Sequence, residues 1–520
     1  MSAAQTPANV EPLPSAGFRT WLGFAALCLG MFMAILDIQI VVTSLPTISA
    51  GLGIQDDRIS WIQTSYLIAE VIAIPLTGLL TRALGIRNLF VIALSVFVVA
   101  SLMCAMATGF WSLILARVVQ GFAGGCLIPL VFSSVFLLFS DKQRGLATTL
   151  AGALAVLAPT LGPTVGGYIT ETYSWHWLFL VNIAPGLLAL LVAFIAIPRG
   201  SQDIKLLRHL DLWSLLSLAI ALATLEIMLK EAPARGWQSP VSIGLLIICS
   251  SSMWWFINRS IHLSVPVCNL KMFKDVRFSV ACILSFVFGM ALFASVYLMP
   301  VFLGLVRKFG ALEIGLIMVV TGLAQLLVAP AIVQLDLRVR PHILSAVGLV
   351  IFAIGLAMSG WQTRETGFDE MFWPQVVRGV GIMLCLIPPT RLALDHLQLA
   401  SVPDGSALFN LMRNLGGAVG IAIVDTILWQ RAPIHAEQFG QRLLQHDLEA
   451  AKLVGVPIGM LPPIGTPPTE KQLELGRPLV ERAGLVEAIN EAWLFLSVST
   501  LAAVLVLLLL VIAPGSQRAQ

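Results

Sequence analysis

The residues of this chain with the clearest chemical potential are charged side chains inside apolar segments. Arg117 lies in a run of hydrophobic residues, with Gln120 close behind it. A guanidinium in hydrocarbon costs roughly 2.5–3.5 kcal/mol on insertion scales, so it must face a partner or a wet cavity. Asp37 and Glu70, in two earlier apolar segments, are the available partners. Buried charge of both signs in neighbouring segments indicates a coupled pathway for an ion and a second solute.

The composition explains what surrounds these charges. Of the 520 residues, 58% are hydrophobic and only 11% are charged, whereas about a quarter of the residues of a soluble globular protein are charged. The chain is therefore predicted to be an all-α polytopic membrane protein. The net charge of +3 arises from basic connections between the apolar segments and does not indicate nucleic-acid binding.

Fourteen apolar segments are predicted to cross a hydrocarbon core of about 30 Å. These segments are 21–47, 59–80, 88–107, 111–138, 147–170, 177–198, 212–229, 241–258, 278–305, 312–335, 343–361, 371–393, 406–429 and 490–513. An even count places both termini on one side of the membrane. The connections on that side are rich in Lys and Arg, including Arg82, Arg87, Lys142 and Arg144, so both termini are predicted to be cytoplasmic.

A weak internal repeat relates the two ends of the chain at a shift of about 255–260 residues, as in transporters built from duplicated halves. Residues 118–121 (Val-Val-Gln-Gly) recur as 376–379 (Val-Val-Arg-Gly), and Pro75 recurs as Pro330. The predicted domains are a six-helix bundle in 1–200, two inserted spans in 201–270, and a second six-helix bundle in 271–520 with a long periplasmic loop at 430–489. That loop fits two short surface helices around a proline-rich stretch, 457–468; a docking surface for a periplasmic partner is the alternative.

Glycine and proline mark two of the predicted spans. In the fourth span, Arg117, Gly121 and Gly124 share one helical face, and Pro129 follows. Close helix packing along a G-x-x-x-G pattern accounts for Gly121 and Gly125 at least as well as ligand contact does, but it does not account for Arg117. The fifth span carries a dense proline and glycine motif that predicts a kinked, tightly packed hinge or seal. Its members are Pro159, Gly162, Pro163, Gly166 and Gly167.

Further polar residues lie in the later spans. Glu226 is in the seventh span and Arg378 is in the twelfth. Asn410, Arg413 and Asn414 share one face of the thirteenth span, which predicts a cavity wall more than a lipid-facing surface. The seven histidines all lie in predicted connections, and the seven cysteines form no C-x-x-C pair. No metal, cofactor or catalytic centre is therefore expected, and an integral-membrane enzyme or sensor is the least favoured class.

These patterns together resemble the fourteen-helix drug:proton antiporters of the major facilitator superfamily, the EmrB/QacA type. The resemblance rests on Asp37 with its neighbours in the first span, on the R-x-x-Q-G motif of 117–129, on 162–167 and on 175–186. It implies a major facilitator fold, with two six-helix bundles, two inserted helices and alternating access around a midplane cavity.

The turn after the second span departs from the superfamily pattern. Gly78 and Gly85 match it, but Arg82 stands where an aspartate is usual, which calls into question the charge relay usually assigned to this turn. A basic residue here resembles the EmrB branch, whose members work with a periplasmic adaptor and an outer-membrane channel. This resemblance implies a location in the cell inner membrane.

The resemblance also implies a function, the proton-coupled export of hydrophobic or amphipathic drugs and toxic compounds; an exporter or symporter of a specific metabolite is the alternative. Burial favours a neutral carboxylate and a nearby guanidinium favours a charged one, so separating Asp37 from Arg117 would load a proton. Glu70 and Glu226 are further candidates for proton coupling, although hydroxyls such as those of Thr64 or Ser65 could simply satisfy Glu70. The predicted lining of the substrate cavity is Gln120, Arg378, Asn410, Arg413 and Asn414.

Overall fold

The structure is a computed structural model that describes residues 15–54, 58–200, 202–208, 210–263, 265–457, 459, 461 and 469–512. In these ranges the chain forms helices and short connections, without a strand. The first part contains α1 (Phe18–Leu52), α2 (Trp61–Ala105), α3 (Phe110–Leu138), α4 (Asp141–Thr172), α5 (Trp177–Leu180) and α6 (Ile183–Ala196). The predicted all-α class is confirmed.

The middle and last parts of the chain continue in the same way. The middle part contains α7 (Lys205–Arg208), α8 (Leu212–Arg235) and α9 (Pro240–His262). The last part contains α10 (Val276–Val301), α11 (Ala311–Arg338), α12 (Pro341–Met358), α13 (Phe368–Leu394), α14 (Val402–Leu444), α15 (Leu448–Val454) and α16 (Glu470–Ile512). A π-helical turn, Phe302–Val306, extends α10.

Twelve helices of the described chain are long and apolar enough to cross a membrane, or 13 when the bent helix α4 is included. Helix α4 bends by 43° between Lys142–Pro159 and Leu161–Thr172, where the two prolines of the predicted hinge lie. Helix α2 has 45 residues and is interrupted at Gly85, whose φ of 76° is in the left-handed region. The number of membrane spans reaches fourteen only if the two halves of α2 on either side of Gly85 are counted as separate spans. The exact number therefore stays a prediction.

The helices pack as two groups with α8 beside their junction. Helices α1 to α6 pack mainly on one another, and so do α10 to α14 and α16. The two groups meet where α4 contacts α11 and where α14 contacts α2 and α3. Helix α8 packs on α9, α2 and α14. Of the two helices predicted to be inserted, α8 and α9, it is therefore α8 that lies at the seam between the two groups.

The start of α8 is held by Asp211, which forms a salt bridge with Arg259 near the end of α9. The Asp211 side chain also accepts a hydrogen bond from the backbone N–H of Ser214, 3.2 Å away, and so caps the helix. The hydrogen bond from Arg259 holds the pKa of the Asp211 carboxyl well below its usual range. This contact ties the two inserted helices together at one end.

The predicted loop at 430–489 is largely helical. Helix α14 continues to Leu444 and α16 already begins at Glu470, with α15 between them. Arg431 and Glu491 join the two extended helices through a salt bridge of 2.7 Å. Helical structure was expected here, but as separate surface helices; most of it instead continues the two neighbouring spans. Residues 458, 460 and 462–468 of the proline-rich stretch lie outside the described residues.

Candidate functional site

A buried polar network joins α1 and α3. Asp37 and Arg117 are both 0% exposed, and Arg117 Nη1 donates a hydrogen bond to Asp37 Oδ2. Arg117 Nη1 also donates to Gln120 Oε1 at 2.8 Å, and Gln120 Nε2 donates to Asp37 Oδ1 at 3.0 Å. Of the two carboxylates offered by the sequence, Asp37 is thus the one that pairs directly with Arg117.

Two members of this network escaped the sequence analysis. Asn182 Nδ2 donates to Asp37 Oδ1 at 2.8 Å, and Ser101 Oγ accepts from Gln120 Nε2 at 2.9 Å. Asn182 lies in the sixth-span pattern, where an amide beside an apolar run was the available signal. Ser101 gave no signal, because a lone serine in an apolar helix usually bonds its own backbone. Asp37 is consequently held by three side chains from α3 and the start of α6.

Arg117 has contacts that do not depend on Asp37. Its Nε donates to the backbone carbonyl of Ile62 at 3.2 Å, and its guanidinium lies 4.3 Å from the centre of the Tyr66 ring. Among the described residues, Arg117 Nη2 has no hydrogen-bond partner. The Arg117 guanidinium is therefore bound to α2 through a carbonyl and an aromatic face as well as to Asp37 of α1.

Glu70 is the second buried carboxylate, and it faces the inserted helix α8. It interacts electrostatically with Glu226 of α8 and, more weakly, with Arg117 and Asp37. The hydroxyls of Thr64 and Ser65 donate to backbone carbonyls, not to Glu70. Two neighbouring carboxylates in a low-dielectric site cannot both be charged without a large cost, so a charge on Glu226 opposes a charge on Glu70.

The glycines of α3 bring it against α2 backbone to backbone. A Cβ added at Gly121 would lie 2.9 Å from the Tyr66 Cα, and one at Gly125 would lie 3.0 Å from the Ala73 Cβ and closer still to the Glu70 carbonyl. A Cβ added at Gly124 would likewise clash with the Tyr66 hydroxyl. Close packing accounts for these glycines. That packing also sets the position of Arg117 relative to Tyr66.

Pro129 and the α4 motif lie at contacts between the two groups of helices. The Pro129 carbonyl accepts a hydrogen bond from Ser406 Oγ of α14 at 2.8 Å. A Cβ at Gly162 would lie 3.3 Å from the Gln39 Cα of α1, and Thr164 packs directly on Gly315 of α11. The Thr170 hydroxyl donates to the carbonyls of Gly166, at 2.8 Å, and Gly167, at 3.1 Å. The motif with Pro159 and Pro163 thus lies between α1 and α11, where a seal would have to be.

The polar residues of the last six spans fall into two places. Arg413 Nη2 donates to Asn410 Oδ1, and the guanidinium lies 5.1 Å from the centre of the Phe132 ring of α3. Asn414 is one residue further along, with no partner for its Nδ2 among the described atoms. Arg378 instead packs with α11 and α16. The predicted cavity residues therefore divide among the Asp37 network, the α14 face and the Arg378 region.

Unlike the Asp37–Arg117 pair, another ion pair bridges the two groups of helices. It lies at the end of the molecule that carries the basic connections, such as Arg82, Lys142 and Lys271; we call this the basic end. Arg82 Nη2 lies 3.2 Å from Asp404 Oδ2 near the start of α14. A Cβ at Gly78 would lie 2.8 Å from the Asp404 Cα. The sequence marked Arg82 as unusual but offered no partner for it. Gly78 allows α14 to approach α2 closely enough for the pair to form.

A polytopic helical protein with two groups of spans and buried opposite charges in their packed interior is a membrane transporter by architecture. The sequence profile of the Major Facilitator Superfamily matches residues 27–421, and the chain belongs to this family. It is 37% identical over 424 residues to the colistin resistance protein EmrB of Acinetobacter baumannii, a match that covers 81% of this chain and 83% of the relative.

Two further comparisons agree on the family and the fold. The chain is 29% identical over 433 residues to the multidrug export protein EmrB of Escherichia coli K12, covering 82% of this chain and 83% of that protein. The crystal structure of the human organic anion transporter MFSD10 (TETRAN) superposes with a TM-score of 0.61 at 14% identity. It covers 94% of this chain and 99% of its own, which confirms the major facilitator fold expected from the sequence.

Proposed function

We propose that this transporter exports hydrophobic or amphipathic drugs and toxic compounds across the cell inner membrane in exchange for protons, by alternating access. The buried Asp37–Arg117 pair carries the proposal, because charges held inside an apolar bundle need a role that repays their cost. The names of two relatives, a multidrug export protein and a colistin resistance protein, support export of this kind.

The network around Asp37 gives the coupling a physical form. When a proton neutralises Asp37, the ion pair with Arg117 is lost, while the Ile62 carbonyl and the Tyr66 ring still hold the guanidinium. The hydrogen bonds from Gln120 and Asn182 to Oδ1 then hold the neutral group less firmly, because a charged acceptor binds donors more strongly than a neutral one. Protonation thus loosens α1 from α3 and from the start of α6.

The energetics are sufficient for efflux without a nucleotide. One proton crossing about 150 mV releases about 3.5 kcal/mol, at 2.3 kcal/mol per 100 mV. That energy sustains a gradient of about a few hundred-fold in a neutral substrate. Glu70 and Glu226 provide a second protonatable location, and α8 places it at the seam between the two groups of helices.

The proposed partners are small hydrophobic substrates, protons and the lipid bilayer, together with a periplasmic membrane-fusion adaptor and an outer-membrane channel. The extended ends of α14 and α16, joined by Arg431 and Glu491, support an adaptor, because they form a structured surface on the side opposite the basic end. With the basic end on the cytoplasmic side, both termini are cytoplasmic.

Reconstitution tests the proposal directly. The purified full-length chain is placed in proteoliposomes that contain a pH-sensitive dye, and Hoechst 33342 is supplied under an imposed pH gradient. If the protein exchanges substrate for protons, Hoechst 33342 and protons should cross the membrane in opposite directions. Both movements should stop when the pH gradient is dissipated. Movement in the same direction would identify a symporter instead, and substrate movement that is independent of the pH gradient would contradict proton coupling.

A further inference from the structure

The C-terminal half contains a buried guanidinium of its own. At the shift that aligns residues 118–121 with 376–379, Gln120 corresponds to Arg378 and Arg117 corresponds to Gln375. Each helix thus has one arginine and one glutamine a turn apart, but α13 carries them in the reverse order to α3. Arg378 is 4% exposed and lies deep in its group of helices, as Arg117 does.

The surroundings of Arg378 follow the pattern around Arg117. Arg378 Nη2 donates to Thr321 Oγ1 of α11 at 3.4 Å, and the guanidinium lies 5.0 Å from the centre of the Trp493 ring of α16. Thr321 Oγ1 in turn donates to Gln375 Oε1 at 3.0 Å. A hydroxyl, an amide and an aromatic face therefore surround the guanidinium.

The carboxylates of the N-terminal half have no counterparts here. At the same shift Asp37 corresponds to Ser295, and at the shift that aligns Pro75 with Pro330, Glu70 corresponds to Gln325. The salt bridges within the described ranges include none to Arg378. The C-terminal half thus keeps the cation and lacks the anion.

Several buried polar atoms around Arg378 have no partner in the part of the chain that the structure describes. They are Arg378 Nε and Nη1, Gln375 Nε2, both side-chain polar atoms of Gln325, and Trp493 Nε1. All but the Gln325 oxygen are N–H donors. Unsatisfied buried donors around an unpaired charge are costly, and a negatively charged acceptor placed among them would satisfy several of them and the charge at once.

The position of Gln325 brings its amide to the same region. Thr321 and Gln325 lie one turn apart on the same face of α11. A Cβ at Gly379, next to Arg378, would lie 2.7 Å from the Thr321 carbonyl oxygen and 3.5 Å from the Gln325 backbone nitrogen. Gln325 therefore lies in the strip of α11 that packs against α13 beside Arg378, and its side chain is buried there.

We propose that Arg378, with Gln325, Gln375, Thr321 and Trp493, binds the carboxylate of an amphipathic substrate. A carboxylate has two acceptor oxygens that match the forked donors of a guanidinium, and the apolar bundle around the site suits the remainder of such a molecule. The proposal rests on the export function above and narrows it to a substrate class. An inorganic anion has the same charge but no apolar part, which separates the two in an experiment.

The test is binding to the purified full-length chain in nanodiscs, without a proton gradient. Tritiated dodecanoate is the probe, and unlabelled dodecanoate and methyl dodecanoate are the competitors. The wild type should prefer the acid to the ester. Arg378→Gln should weaken dodecanoate binding by about 10- to 100-fold, the range expected for a lost charge-assisted hydrogen bond, while Arg378→Lys should retain part of the preference.

A second pair of variants keeps the test independent of the folding of Arg378→Gln. Gln325→Glu places a carboxylate at the position that Glu70 has in the other half, so it should occupy Arg378 internally and abolish the preference for the acid. Gln325→Leu is the comparison variant: it removes the amide without adding a charge, so it should weaken dodecanoate binding while Arg378 still gives a reduced preference for the acid over the ester. Equal competition by acid and ester in the wild type, or an unchanged preference in both Arg378→Gln and Gln325→Glu, would overturn the proposal.

Two further measurements separate related outcomes. In the first, the chloride concentration is raised while sulfate is lowered to keep the ionic strength fixed. If chloride displaces dodecanoate and acid and ester then compete equally, an inorganic anion occupies the site. The proposed carboxylate substrate would then be wrong. Proton exchange is measured separately with a neutral substrate. Absence of exchange with an intact binding preference would refute the export function while leaving this site in place.

Discussion

Arg82 of α2 and Asp404 of α14 form a 3.2 Å salt bridge that joins the two groups of helices at the basic end. Asp404 is buried, whereas Arg82 is partly exposed. Cys268 lies at the same end, with its thiol 3.8 Å from the carbonyl oxygen of Pro75 in α2. Burial raises the pKa of the Cys268 thiol, so this cysteine should react slowly until the basic end opens.

Exchanging the charges of this pair should show whether it stabilises the closed basic end. Arg82→Asp and Asp404→Arg each place like charges together, and each should increase the rate of maleimide labelling of Cys268 and reduce efflux. The double exchange restores opposite charges and should recover part of both properties. Cys268→Ser identifies the labelled residue. Purely additive effects in the double variant would show that the two residues do not act as a pair.

Removing the negative charge of Asp37 should separate transport from folding. Asp37→Asn is similar in shape and can still accept hydrogen bonds from Gln120 and Asn182, but it leaves Arg117 without an anion. We expect proton-driven efflux in vesicles to fall to background while the variant inserts and elutes as a monodisperse species. Asp425→Asn is the control, because Asp425 is another acid in a helix of the bundle, partly buried and bonded to Tyr297 at 2.7 Å. Undiminished efflux by Asp37→Asn would remove Asp37 from the mechanism.

The glycine contact between α3 and α2 gives a stability prediction. Gly121→Ala forces a methyl group against the backbone of Tyr66 and should cost about 1–3 kcal/mol of stability. Gly244→Ala in α9 is the control, because nothing lies within 4 Å of an added Cβ there. Thermal unfolding of the two purified variants measures the difference. An equal Tm for both would show that the α2–α3 contact is looser than the structure indicates.

Glu70 and Glu226 should behave as one unit if they share a proton. Glu70→Gln and Glu226→Gln should each lower proton-coupled efflux, and the double variant should be no worse than the more impaired single variant, because either change ends the sharing. The measurement is the initial rate of substrate-induced proton movement in proteoliposomes. Losses that multiply in the double variant would assign the two residues to independent steps.

The Asp37–Arg117 pair could be predicted from the sequence, because a charged residue in an apolar span needs a partner. Asp37 and Arg117 meet as that argument required, since no arrangement tolerates either one facing lipid. Ser101 could not be assigned, because a lone serine in an apolar helix usually bonds its own backbone. Asn182 could not be matched to Asp37, because only the packing of α6 on α1 brings the two together. Asp404 could not be matched to Arg82, because only the packing of α14 on α2 brings the two together.

The spans were predicted well where hydropathy and helix length coincide and less well where they do not. Apolarity predicts only the membrane-spanning part of a helix, so residues 430–489 were expected to form a loop with two separate surface helices, whereas α14 and α16 continue into this region. In α2 the helix is longer than a predicted span for another reason: it covers two predicted spans, which are separated by the break at Gly85. The predicted limits of the three domains stay a prediction.

Helix α14 runs without a break from Val402 to Leu444, a length of about 65 Å at 1.5 Å per residue. Asp404 lies in its first turn, and Arg431 lies in the later part of the helix that is bonded to α16. One continuous helix therefore connects the ion pair at the basic end with the opposite end of the molecule, so we expect a displacement at Asp404 to move that opposite end as well. A protein bound at that end would be displaced with the helix in each transport cycle, without contacting the substrate or the protons.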